Sequence, residues 1–226
     1  MSDLSPTPKE ITAFISAASN GDCEAIVQFL ADYPQAINKK GVDGMTALLW
    51  ASRRGRHEAV TLLSERGAAI DEVDLSGWTS LMWASICGHR ETVRILLEKG
   101  AAIEAKGGGR TALVWAVHHK HKETAALLLE KGAVVNESDR AGWTPLMTAV
   151  WQANIPMIQL LLEKRADLQK KDNTGKTAMD LAQDKGFEDI MALLEKWQQI
   201  QALADDIADF SPALKRPIRT LRRLNP

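Results

Sequence analysis

The chain has 226 residues, enough for one ordinary domain or one elongated array. Its 28 Lys+Arg balance 29 Asp+Glu to a formal net charge of -1, without the large basic excess of a dedicated nucleic-acid coat. Only Cys23 and Cys87 are present, so no disulfide framework or cysteine-rich zinc module can be built, and no apolar run approaches the roughly 18 residues needed to cross a bilayer. Residues 1–6 carry no basic region followed by an apolar one, so a secretory signal is not expected and the expected setting is cytoplasmic. Thr7-Pro8-Lys9-Glu10 reads as a capping box with Pro at N1 and Glu at N3, opening the first helix. Residues 12–30 then form a first helix pair, which caps the N-terminal end, and Tyr33-Pro34 is a one-residue insertion behind it.

The elements that follow recur. Gly-Met-Thr-Ala-Leu-Leu-Trp-Ala at 44–51 returns as Gly-Trp-Thr-Ser-Leu-Met-Trp-Ala at 77–84 and Gly-Arg-Thr-Ala-Leu-Val-Trp-Ala at 109–116. Two further copies are Gly-Trp-Thr-Pro-Leu-Met-Thr-Ala at 142–149 and Gly-Lys-Thr-Ala-Met-Asp-Leu-Ala at 175–182. Thr46, Thr79, Thr111, Thr144 and Thr177 stand at steps of 33, 32, 33 and 33, and a weaker copy at residues 12–17 lies 34 before the first. Such a period marks a repeat array. Each Thr can cap a helix, worth about 1 kcal/mol, and Pro145 suits a first helical turn. Leu48, Leu81, Leu113, Leu146 and Met179 face inward, while Ala51, Ala84, Ala116, Ala149 and Ala182 allow close approach. Gly55, Gly88 and Gly186 break this first helix. A second, apolar helix stops at Gly67, Gly100 and Gly132, where a left-handed residue is needed. An extended stretch such as Ala101-Ala102-Ile103-Glu104 and an Asp-x-x-Gly turn (Asp74 to Gly77, Asp139 to Gly142, Asp172 to Gly175) lead to the next copy.

On these motifs, with Gly88-His89-Arg90-Glu91 and Leu96-Leu97-Glu98-Lys99-Gly100-Ala101, the chain resembles the ankyrin-repeat family over about residues 8–203. The resemblance implies an all-α solenoid: an ankyrin-repeat array of about six helix-turn-helix units with short hairpin fingers. The expected divisions are an N-terminal capping repeat over 1–40, four full repeats over 41–171, a C-terminal capping repeat with an extended last helix over 172–210, and a basic amphipathic tail over 211–226. Terminal units must differ, because one unit cannot bury its own apolar face. The chain departs from the family pattern in three places. Leu49, Met82, Val114, Met147 and Asp180 replace the motif histidine. Arg165 sits where a terminal glycine belongs and is expected at positive φ, at a cost of roughly 1 kcal/mol. Gly107-Gly108-Gly109 replaces the turn Asp, which predicts a more flexible finger.

At the C-terminal end Ile190, Leu193, Leu194, Trp197, Ile200 and Ala204 share one helical face and should close the array. In the tail, Leu214, Ile218, Leu221 and Leu224 form a stripe opposite Lys215, Arg216, Arg219, Arg222 and Arg223. That segment could fold back, fray, or tether the chain to an acidic partner, a nucleic acid or a membrane surface.

The family binds partners on its concave face, so the resemblance implies a finger row of Met45, Trp78, Arg110, Trp143 and Lys176. A second row at the ends of the first helices includes Arg53, Arg54, Ile86, His118, His119 and Trp151. Trp with Arg is the typical interface hot-spot pair, and burying one Trp contributes on the order of 4–6 kcal/mol before association costs. Trp50, Trp83 and Trp115, at positions where the family places a buried leucine, are expected in the core. Cys87 with His118, His119 and His121 falls short of the three or four converging ligands of a zinc site. Neither a phosphate loop nor a nucleophile–base spacing is present. The expected function is a non-catalytic interaction module, monomeric on its own, without cofactor or small-molecule substrate, binding another protein as adaptor, assembly chaperone or inhibitor.

Overall fold

The computed structural model describes residues 5–210, with side chains described through Leu203; the Ala204 end of the expected closing stripe, the tail stripe and its arginines lie outside the described side chains. Among the described residues the repeat spacing becomes twelve α-helices in two rows. The inner row is α1 (Pro8–Asn20), α3 (Ala47–Arg53), α5 (Ser80–Ile86), α7 (Ala112–His118), α9 (Pro145–Trp151) and α11 (Ala178–Lys185). The outer row is α2 (Cys23–Asp32), α4 (His57–Glu65), α6 (Arg90–Glu98), α8 (Lys122–Glu130), α10 (Ile155–Glu163) and α12 (Glu188–Phe210). Each inner helix packs on the next inner helix, and α2 to α10 do the same in the outer row. The architecture is therefore an all-α solenoid. Among the described residues no strand forms; two isolated bridges, Val73 with Thr79 and Gly107 with Arg110, close the fingers between repeats.

Local chemistry sets the boundaries. All five threonines of the repeat accept the N–H three residues on: Leu49, Met82, Val114, Met147 and Asp180. Thr7 and Glu10 form the reciprocal box at the start of α1. Leu48, Leu81, Leu113 and Leu146 are buried with the five alanines, and Met179 is half-buried. The inner helices end at Gly55, Gly88 and Gly186 with positive φ, but Lys120 (φ 64°) and Ala153 (φ 51°) occupy the same left-handed position in two repeats. Arg165 is left-handed as expected, at φ 62°.

Two expectations change. Residues 101–104 are not extended: Ala105 N–H donates to Ala102 O at 3.1 Å, making a turn whose backbone is tied to the neighbouring repeat. The tie is a ladder of its own, in which Asn38, Asp71, Glu104 and Asn136 accept the N–H of Ala69, Ala102, Val134 and Asp167 at 2.8–2.9 Å. In α12, Ile190 and Leu194 are buried and Leu193 and Trp197 half-buried, whereas Ile200 and Leu203 are exposed. The lid stops after Trp197 because α12 outruns the repeat against which it packs.

Candidate functional site

Inner-helix ends define the groove, and their carbonyls are anchored. Four of the six inner helices, α1, α3, α5 and α7, present an equivalent carbonyl at or next to their last residue, on Ser19, Arg53, Ile86 and His118, and it receives a donor from the next repeat. The donors are Arg56 Nε (3.2 Å), His89 Nε2 (3.1 Å), His121 Nε2 (2.8 Å) and Gln152 Nε2 (2.7 Å). Three side-chain types perform one task, since only a donor of sufficient reach is required. These bonds fix the backbone from which the groove side chains project.

Trp50, Trp83 and Trp115 are not core residues; they are half-buried. A buried indole N–H must find an acceptor, and the finger supplies it: Asp43 Oδ2 for Trp50 at 2.8 Å and Asp74 Oδ2 for Trp83 at 2.9 Å. In the finger without Asp, Trp115 donates to Gly107 O at 3.3 Å. The interior behind them is filled by the leucine and alanine positions.

The indoles and cations then form a continuous stack. The Arg53 guanidinium lies 5.0 Å from the Trp50 ring and 4.4 Å from the Trp83 ring, and that of Arg54 5.6 Å from Trp50. Trp78 is 4.7 Å from Trp83 and 4.9 Å from Trp115, centroid to centroid. Arg110 continues the series, 5.1 Å from Trp115, and its Nη2 pairs with Asp139 Oδ2 at 3.1 Å. The triple glycine has a packing reason: a Cβ on Gly107 would stand 2.6 Å from both Trp78 Cδ1 and Met82 Sδ. Farther along, Trp143 meets Trp151 edge-on at 5.5 Å, and Lys185 Nζ sits 3.5 Å from the Trp151 ring. Lys176 pairs with Asp184.

Of the residues expected in the finger row, Met45 does not reach the groove. It is 4% exposed, drawn inward where Gly41 N–H closes the finger on Met45 O. The residues at the finger tips are instead Val42, 101% exposed, and Leu75, 80% exposed. Their place inside the turn, rather than beside the capping Thr, is the signal that would have found them. Trp78, Trp143 and Arg110 are half-buried, as are Arg53 and Ile86. Arg54, His118, His119 and Lys176 are exposed, and Trp151 is 46% exposed. At the N-terminal end a cavity of about 240 Å³ opens between Ile15, Val42, Trp50 and Arg54.

His118 and His119 adjoin Trp115, with His119 6.3 Å from His121. Although both residues are largely exposed, the partial desolvation of each ring, and then Arg110, holds the His118 imidazole below its ordinary range; partial desolvation and the neighbouring imidazoles do the same for His119. Among the described residues no three His, Cys, Asp or Glu side chains converge as metal ligands. No described helix is long and apolar enough to cross a membrane.

Comparison with known proteins matches a model of ankyrin repeats in three copies, over residues 14–107, 104–172 and 134–203. A 69-residue stretch is 36% identical to the NAD-capped RNA hydrolase NUDT12 of Pongo abelii, covering 30% of this chain and 15% of that protein. The NUDT12 of Macaca fascicularis is 35% identical over 69 residues, with the same coverage. The chain thus spans about 15% of the length of these curated relatives. With matches running from residue 14 to residue 203, the chain belongs to the ankyrin-repeat family.

Proposed function

We propose that this protein is a non-catalytic binding module that receives a partner protein in its concave groove, as an adaptor, assembly chaperone or inhibitor. The observation that carries this reading is the half-exposed series Trp50–Arg53–Trp83–Trp78–Trp115–Arg110, with Trp151 and Lys185 beyond it. Tryptophan and arginine dominate interface energetics when held rigidly in a partly desolvated setting. The binding residues of this reading are Arg53, Arg54, Trp78, Ile86, Arg110, His118, His119, Trp143, Trp151 and Lys176. Capping units over 1–40 and 172–210 flank four full repeats over 41–171 in the same reading. A reducing, cytoplasmic setting suits its two free cysteines. The hydrolase activity in the relatives' name is no part of it, because the shared stretch is so small a fraction of those proteins.

A photo-crosslinking amino acid placed at His118 in the groove, and in a second protein at Gln159 on the outer row, tests the proposal. The groove probe should capture a defined partner, Trp151→Ala and Arg110→Ala should abolish the capture, and the outer probe should capture nothing in common. Equal capture by both probes would remove the concave face from consideration.

A further inference from the structure

We propose that the N-terminal end of the groove is a subsite for an acidic, extended peptide segment: Arg53 and Arg54 take one side-chain carboxylate, and the adjoining cavity takes an aliphatic side chain beside it. This rests on the concave-face reading above and adds the partner's chemistry. Both guanidinium groups lie on the same indole, Trp50, and Arg53 is also against Trp83 at 4.4 Å. Stacking of this kind restricts the side chains while occupying none of their N–H donors, so less rotamer freedom is lost when an anion binds. Among the described residues neither arginine has a carboxylate within ion-pairing distance, although Arg110 and Lys176 in the same groove both do. Asp43, which lines the cavity with Arg54, is engaged elsewhere: Oδ1 accepts Met45 N–H at 3.0 Å and Oδ2 accepts Trp50 Nε1 at 2.8 Å.

The neighbouring cavity, about 240 Å³, has Ile15, Val42 and Trp50 in its wall and Arg54 at its rim. That is below the roughly 300 Å³ at which drug-sized ligands begin to fit, and it suits one aliphatic side chain. The exposed tips Val42 and Leu75 extend the apolar surface alongside it. Single-stranded nucleic acid needs open aromatic faces for its bases. Here Trp50, Trp83, Trp78 and Trp115 each already face a guanidinium or another indole, which favours a peptide carboxylate over a phosphate strand.

The test pans a random dodecapeptide display library on the whole chain and measures the enriched peptide by fluorescence polarisation. Enriched sequences should place Asp or Glu within two residues of Leu, Ile, Val or Met. Arg54→Gln and Arg53→Gln should each weaken binding about tenfold, and Arg54→Lys should weaken it less. Changing the peptide's acid to its amide should cost at least as much, with a smaller further loss on the Arg54→Gln protein, where only Arg53 still meets the carboxylate. Thermal melts verify folding, and Arg54, being exposed, gives the cleaner variant. Enrichment without acids, arginine variants within twofold of the wild type, or displacement of the peptide by a single-stranded DNA dodecamer overturns the subsite. If binding withstands both arginine changes but falls on Trp151→Ala, the subsite is lost and the concave-face reading stands. A library without binders, or a binder indifferent to all three changes, removes both.

Discussion

At the scale of single residues, the repeat acts as its own control. Position Ser80 is alanine in three of the other copies (Ala47, Ala112 and Ala178) and Pro145 in the fourth, and its Oγ is buried without a hydrogen-bond partner. Because an unsatisfied buried hydroxyl costs about 1–3 kcal/mol, Ser80→Ala should raise the urea unfolding free energy by roughly 1 kcal/mol. Gly107 is the opposite case. With Trp78, Met82 and Gly77 O all closer than 3.0 Å to a new methyl, Gly107→Ala should lose about 1–3 kcal/mol by overpacking. A third change concerns backbone strain. Arg165→Gly removes the Cβ from a left-handed residue and should add about 0.5–1 kcal/mol, net of the greater freedom glycine gives the unfolded chain. Denaturant titrations of the three variants check all of this. Arg165 was legible in the sequence because the period placed it on a glycine position. The two other left-handed residues, Lys120 and Ala153, were equally inferable from Gly55 and Gly88 but were masked by well-conforming neighbours.

Between elements, the donors that bridge repeats set both rigidity and pH response. His89 lies under Arg53 O, and burial pushes its imidazole below the ordinary range despite that hydrogen bond. The folded protein therefore takes up the proton less readily than the unfolded chain, whose histidine titrates near about 6.5. As pH falls below about 6.5 the unfolded state binds protons first, so stability is full above that value and declines beneath it. His118 and His119 act in the same direction. Melting temperature should be flat from about pH 8 to 7 and drop toward about pH 5. His89→Gln, which keeps a donor without the titration, should make that drop shallower. Helix pairs and caps could be read from spacing alone, since Thr, Pro and Gly act locally. The tryptophan positions could not. A period says which residues are equivalent, not whether a large side chain turns to the core or to the finger, and here the Asp43 and Asp74 carboxylates decided it.

For the molecule as a whole, the main helix contacts among the described residues run within a unit or between adjacent units, so damage should stay local. Leu194 is fully buried where α12 covers α11. Leu194→Ala should cost about 2–5 kcal/mol, and amide exchange should accelerate in α11 and α12 while α3 and α4 keep their protection. The array was legible from the 33-residue period, whereas the candidate groove positions came from the family resemblance. The groove's chemistry was only half so, because finger tips such as Val42 and cross-repeat stacks depend on turn geometry that no single unit encodes. One consequence follows from Trp78, whose ring touches an indole of its own repeat and another of the next. With Trp83 and Trp115 each under 5 Å from Trp78, the transition dipoles couple, and the sign and size of the resulting exciton couplet depend on the mutual tilt of the rings. Any flexing of the array at this junction alters that tilt, so the protein carries an optical gauge of its own curvature.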